Sequence, residues 1–102
     1  MLRVIYIIVE LEIREPQSFV SFETKAVSIM KKYNGRLVMA FEPDRQYSSS
    51  INANEVHVLQ FDSLLDFKNY RNDEELKGLV ALRKKAIANT TVLVQGIEKT
   101  YE

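Results

Sequence analysis

The chain has 102 residues, 46% hydrophobic and 27% charged, with 14 basic and 14 acidic side chains that cancel to a formal net charge of zero. That length holds one domain, residues 1–102, and the charge balance gives no general pull toward nucleic acid or an anionic membrane. The absence of cysteine excludes a disulfide framework, a thiolate metal site and a cysteine nucleophile.

Residues 3–13 have strand character on both faces. Ile5, Ile7, Val9, Leu11 and Ile13 are all apolar, and the alternate positions give Val4, Tyr6 and Ile8 before turning acidic at Glu10 and Glu12. The apolar start is β-branched, meets two acids and lacks a small-residue cleavage site, so it reads as a buried strand rather than a leader. No stretch approaches the ~20 apolar residues of a membrane span, and the expected location is cytoplasmic. Pro16 suits a first helical turn, and Phe19, Phe22, Ala26, Ile29 or Met30, and Tyr33 then form one helical stripe. Asn34-Gly35 stops it with residues that tolerate a left-handed conformation.

A second strand is predicted over 36–42, followed by a serine-rich loop from Pro43 to Asn54 without apolar anchors. A third strand runs from Glu55 to Phe61. Asp62 or Ser63 caps the next helix, with Asp66 at capping-box spacing from Ser63. This helix is predicted to about Asn89, kinked or broken at Asn72-Asp73, with Phe67, Tyr70, Leu76, Leu79, Val80, Arg83 and Ile87 near one face. Thr90 to Ile97 is the fourth strand. The order β-α-β-β-α-β predicts an α+β, ferredoxin-like, four-stranded antiparallel sheet with two helices on one face.

The sheet's other face has no cover of its own. It receives Val4, Tyr6 and Ile8, together with either Val56 and Val58 or Leu59 and Phe61. An apolar patch of that kind exceeds what a monomer usually exposes, and a second copy of the chain is the economical cover. A homodimer through the open sheet face is therefore expected.

Three groups of residues have the order and spacing of a known family: Tyr33-Asn34-Gly35-Arg36; Val56 to Ser63; and Tyr70 to Leu76, continuing through Leu79-Val80-Ala81-Leu82-Arg83 and Val92-Leu93-Val94-Gln95-Gly96. Through them the chain resembles the domain-of-unknown-function family thirteen-thirty, within the dimeric α+β barrel superfamily. The resemblance covers most of residues 4–97 and implies that fold and a dimer. Superfamily relatives include cofactor-independent antibiotic-biosynthesis monooxygenases, muconolactone isomerases and many proteins without a known activity. Family members usually carry a glycine pair and a glutamate after the second strand, where this chain has Phe41-Glu42-Pro43-Asp44.

His57 is the only histidine, and its parity with Phe61 places it under the helices. It is either a general base in a pocket there or a strand histidine bonded to a backbone carbonyl. Arg83 breaks an apolar stripe and matches the arginine of the family's leucine-arginine motif. It serves either as anchor for a ligand carboxylate or as partner of an acid such as Glu10. Tyr6, Tyr33 and Tyr70 are core-edge residues that can line a pocket, and Glu10 would be a proton acceptor if buried. One histidine without clustered acids gives no metal site, and no cofactor is implied.

RNA-recognition aromatics in a basic glycine-containing motif are missing from the third strand, and no phosphate loop occurs. The expected function is small-ligand binding, of the cofactor-independent oxygenase or isomerase type with an apolar or carboxylated substrate. The alternative is a non-catalytic dimeric ligand-sensing or interaction module.

Overall fold

A computed structural model describes residues 3–47 and 52–101. In chain order it has strand β1 (Ile5–Ile13), helix α1 (Pro16–Met30), strands β2 (Gly35–Phe41) and β3 (Glu55–Phe61), three short helices α2 (Leu64–Arg71), α3 (Glu74–Gly78) and α4 (Val80–Ala86), and strand β4 (Ile87–Ile97). The strands form one antiparallel sheet in the order β2-β3-β1-β4. This is the expected ferredoxin-like α+β arrangement. Among the described residues no helix is long and apolar enough to cross a membrane.

Helix α1 starts with Pro16, whose missing N–H costs nothing in a first turn. It buries Phe19, Phe22, Ala26, Ile29 and Met30 against the sheet. Its last predicted turn, Lys31 to Tyr33, tightens into a 3-10 turn. Asn34 then takes the left-handed conformation at φ 55°. Gly35 itself is not left-handed; it is needed for space, because a Cβ there would lie 2.2 Å from the Phe61 ring and 2.6 Å from Met30 Cγ.

The second helix of the sequence reading is three helices. Ser63 Oγ caps α2 by accepting from the Asp66 N–H at 3.1 Å, as the capping-box spacing requires. Asp73 caps α3 by accepting from the Leu76 N–H at 2.9 Å. The Tyr33 hydroxyl donates to the other oxygen of Asp73 at 2.5 Å, joining the end of α1 to the start of α3. This bond, with the Leu76 N–H, holds the Asp73 carboxyl below its ordinary range. A further break at Leu79 leaves Val80 exposed, contrary to its predicted place on the inner face. The helical region also ends at Ala86 rather than Asn89. Ile87 and Asn89 pair with Ile13 and Glu12 of β1, and those ladder bonds outweigh the helical periodicity.

Cross-strand partners share a face, so the ladders sort the side chains. Ile5, Ile7, Val9 and Leu11 face the helices, opposite Phe61, Leu59, His57 and Glu55 of β3. The open face receives Tyr6 and Ile8, opposite Gln60 and Val58. Both edge strands change parity part-way. Extra residues interrupt the registers: Val38 in β2, and Ala88 and Leu93 in β4. Leu37 therefore faces the helices while Met39 shares the open face with Val58, and Val92 and Val94 likewise part to opposite faces. Met39, Phe41 and Val94 are each about half exposed there. Of the two options for β3, Val56 and Val58 are the pair on the open face.

The described ends of the Pro43 to Asn54 connection are better anchored than its composition suggests. A 3-10 turn spans Arg45 to Tyr47, Ala53 is buried, and Asn54 is tied to β1 through its N–H on the Leu11 carbonyl (2.8 Å) and its side-chain oxygen on the Ile13 N–H (2.7 Å). The Ser48-Ser49-Ser50 run lies outside the described residues.

Candidate functional site

A cleft of about 240 Å³ opens between the helix-side face of the sheet and the helices. Val9, Leu11, Phe22, Met30, Leu59 and Ile87 give it apolar walls, and Glu23, His57, Tyr70 and Arg83 bring polar groups into it. That volume lies below the range of drug-sized pockets and above the ~150 Å³ that admits benzene, so it suits a small ligand.

His57 sits in the middle of β3, opposite Val9 and Ala40, and is 3% exposed. Phe19 packs its ring edgewise at 5.9 Å. Each ring nitrogen meets a carboxylate: Nε2 lies 2.5 Å from Glu55 Oε2 and Nδ1 lies 3.4 Å from Glu23 Oε1. Burial lowers the imidazole's proton affinity, but the two carboxylates together outweigh it and raise the pKa above 6.5. The strand histidine therefore bonds to two acids, not to a backbone carbonyl.

The raised pKa has a thermodynamic consequence. A folded-state pKa above the unfolded one gives stability that is complete below the unfolded value and is lost as pH rises through the folded value. Urea midpoints should fall from about pH 6 to pH 8.5 by an amount that His57→Gln removes. An equal slope in the variant would show that the histidine is not the titrating group.

Tyr70 of α2 is buried against Phe61, with ring centroids 5.4 Å apart. Its phenol pKa is pushed up to about 12, first by burial and then by the charge of Glu23, with Arg83 opposing. The hydroxyl thus stays protonated, a hydrogen-bond donor at any physiological pH. Arg83, on α4, lines the cleft and is itself exposed, which places it at the mouth. Its Nη2 donates to Thr90 Oγ1 at 2.9 Å, and among the described residues no carboxylate pairs with it. Helical spacing put it on the inward face; the helical run is broken at Leu79, and Arg83 stands exposed at the rim.

The structure brings His57, Tyr70 and Arg83 together and leaves Tyr6 and Glu10 out. These two stand at even positions of β1 and lie on the open-face side of the sheet. The Tyr6 hydroxyl accepts from Gln60 Nε2 at 2.7 Å and donates to Glu98 at 3.1 Å. Glu10 is buried opposite Val56 and Thr91 and lines a separate polar hollow with Glu12, Asn52 and Asn89. An Arg83–Glu10 ion pair is thereby excluded. Among the described residues no cluster of three or more histidine or acidic side chains is arranged to hold a metal.

Sequence reasoning missed Glu23 and Glu55. Both had a signal: Glu23 is the charged member of the α1 stripe Phe19, Phe22, Ala26 and Met30, and Glu55 shares the parity of His57 two residues on.

Comparison with known proteins supports the fold. The RPA0582 protein of unknown function from Rhodopseudomonas palustris is similar in structure (TM-score 0.79, 10% identity, 97% of this chain and 85% of that one). So is a dimeric ferredoxin-like protein of unknown function from Thermobifida fusca (TM-score 0.62, 16% identity, 94% and 92%). SnoaB, a cofactor-independent oxygenase from Streptomyces nogalater, matches with a TM-score of 0.63 at 9% identity over 98% of this chain and 95% of that one. No curated protein matches the sequence. The family model described as Domain of unknown function (DUF1330) matches residues 4–97, nearly the whole chain, and the protein belongs to that family.

Proposed function

We propose that the protein is a homodimer, joined through its open sheet face, that binds a small apolar carboxylate in the helix-side cleft. The observation that carries the ligand reading is Arg83. A guanidinium without a carboxylate partner among the described residues stands at the mouth of an apolar cleft, with the Tyr70 hydroxyl available as a second donor. Planar guanidinium and carboxylate groups match in geometry, and their charge-assisted bonds are about twice as strong as neutral ones. Dimerisation is supported by the half-exposed Met39, Phe41 and Val94 on the open face and by neighbours described as dimeric.

A second reading, catalysis, rests on the raised proton affinity of His57. A positioned base could move a proton without a cofactor, and the structurally similar SnoaB is a cofactor-independent oxygenase. Here both nitrogens of His57 are taken by carboxylates, so it is not a free base. A proton would have to pass through Glu23, which lines the cleft. The geometry supports binding more directly than catalysis. The non-catalytic alternative, a ligand-sensing or interaction module, shares the same cleft.

Calorimetry with benzoate, and with benzamide as the uncharged control, tests the reading. Benzoate should bind and benzamide should not. Arg83→Met should weaken benzoate by about 10- to 100-fold, the usual worth of a charged hydrogen bond. Its thermal midpoint should stay close to wild type, because the side chain is exposed and no acid is left behind. A large loss of stability would instead make Arg83 structural.

A further inference from the structure

The cleft presents two opposite charges that are not paired with each other. Arg83 at the mouth bonds to Thr90, and Glu23 on the α1 side meets His57. Glu23, Tyr70 and Arg83 line the same cleft. Glu23 uses Oε1 toward His57, and its side chain is 20% exposed. A carboxylate only accepts hydrogen bonds. An entering ligand that offers it nothing but carbon would strip water from it without replacement, which is unfavourable.

We propose, building on the carboxylate reading above, that the cleft selects hydroxy acids: the carboxylate meets Arg83 and the hydroxyl donates to Glu23. A neutral hydroxyl suffices at this position, because one oxygen of Glu23 already faces the His57 ring at 3.4 Å and the other needs a single donor. Glu23 then determines specificity, while His57 and Glu55 position it.

The test compares benzoate with meta- and para-hydroxybenzoate and with para-(aminomethyl)benzoate by calorimetry on the full chain. One hydroxybenzoate should bind about tenfold tighter than benzoate, or more, as expected of a hydrogen bond to a charged acceptor. Glu23→Met should erase that advantage, bringing benzoate and the hydroxybenzoates to one affinity, with benzoate bound more tightly than by the wild type because no carboxylate is left to be stripped of water. Glu23→Gln, which keeps the shape and a weaker acceptor, should retain part of the advantage and serves if the methionine variant does not fold. Equal binding of benzoate and both hydroxybenzoates by the wild type, an advantage that survives in Glu23→Met, or tighter binding of the ammonium acid would overturn the proposal while leaving carboxylate binding intact. Failure of every acid to bind would remove both.

Discussion

Aspartate at position 58 should turn the proposed homodimer into a well-folded monomer. Val58 lies on the open face between Ile8 and Met39, its partners on the two neighbouring strands. In a lone chain Val58 is partly exposed, so the substitution costs the fold less than it costs a dimer. In a dimer the new carboxylate would be buried against apolar side chains with no partner, at several kcal/mol per copy. A penalty of about 4 kcal/mol raises a dissociation constant by about a thousandfold. Light scattering at micromolar concentration should report two chain masses for the wild type and one for Val58→Asp, with circular dichroism unchanged. A wild type that scatters as a single chain would dispose of the dimer.

Gly35→Ala should be the most damaging single methyl group in the protein. The added Cβ would sit 2.2 Å from one atom of the Phe61 ring and 2.6 Å from another. Phe61 cannot retreat: it is fully buried and held by Phe67 and Tyr70 at centroid distances of 5.1 and 5.4 Å. Overpacking of this kind costs about 3 kcal/mol or more in a rigid core. The control is Gly78, where an added Cβ meets nothing within 4 Å and φ is not positive. Alanine there should gain up to about 1 kcal/mol by restricting the unfolded chain. Urea denaturation of both variants distinguishes the two cases; equal midpoints would show that the core around Phe61 yields.

Strand and helix positions were legible where one period dominates. The odd residues of β1 and the stripe of α1 each repeat cleanly, and burial follows them. Reading failed where local chemistry competes with the period. Ile87 continues a helical stripe by spacing, yet its pairing with Ile13 makes it strand. Asn34-Gly35 was read as a left-handed stop, which Asn34 supplies; what spacing did not show is that the glycine makes room for Phe61. Of the candidate site, His57 and Tyr70 were placed by parity and periodicity. Tyr6 and Glu10 were grouped with them although strand alternation sends even residues to the other face. Glu23 was invisible as long as apolar residues alone defined the α1 stripe.

The one-residue insertions at Val38, Ala88 and Leu93 also bear on how the sheet ends. All lie in the outermost strands, β2 and β4, whose free backbone groups would otherwise template a further strand from another molecule. A bulge interrupts the regular spacing of donors and acceptors and adds local twist, so an incoming strand cannot keep register along such an edge. Growth by edge addition, the route to fibrous aggregates, is thereby discouraged on both sides.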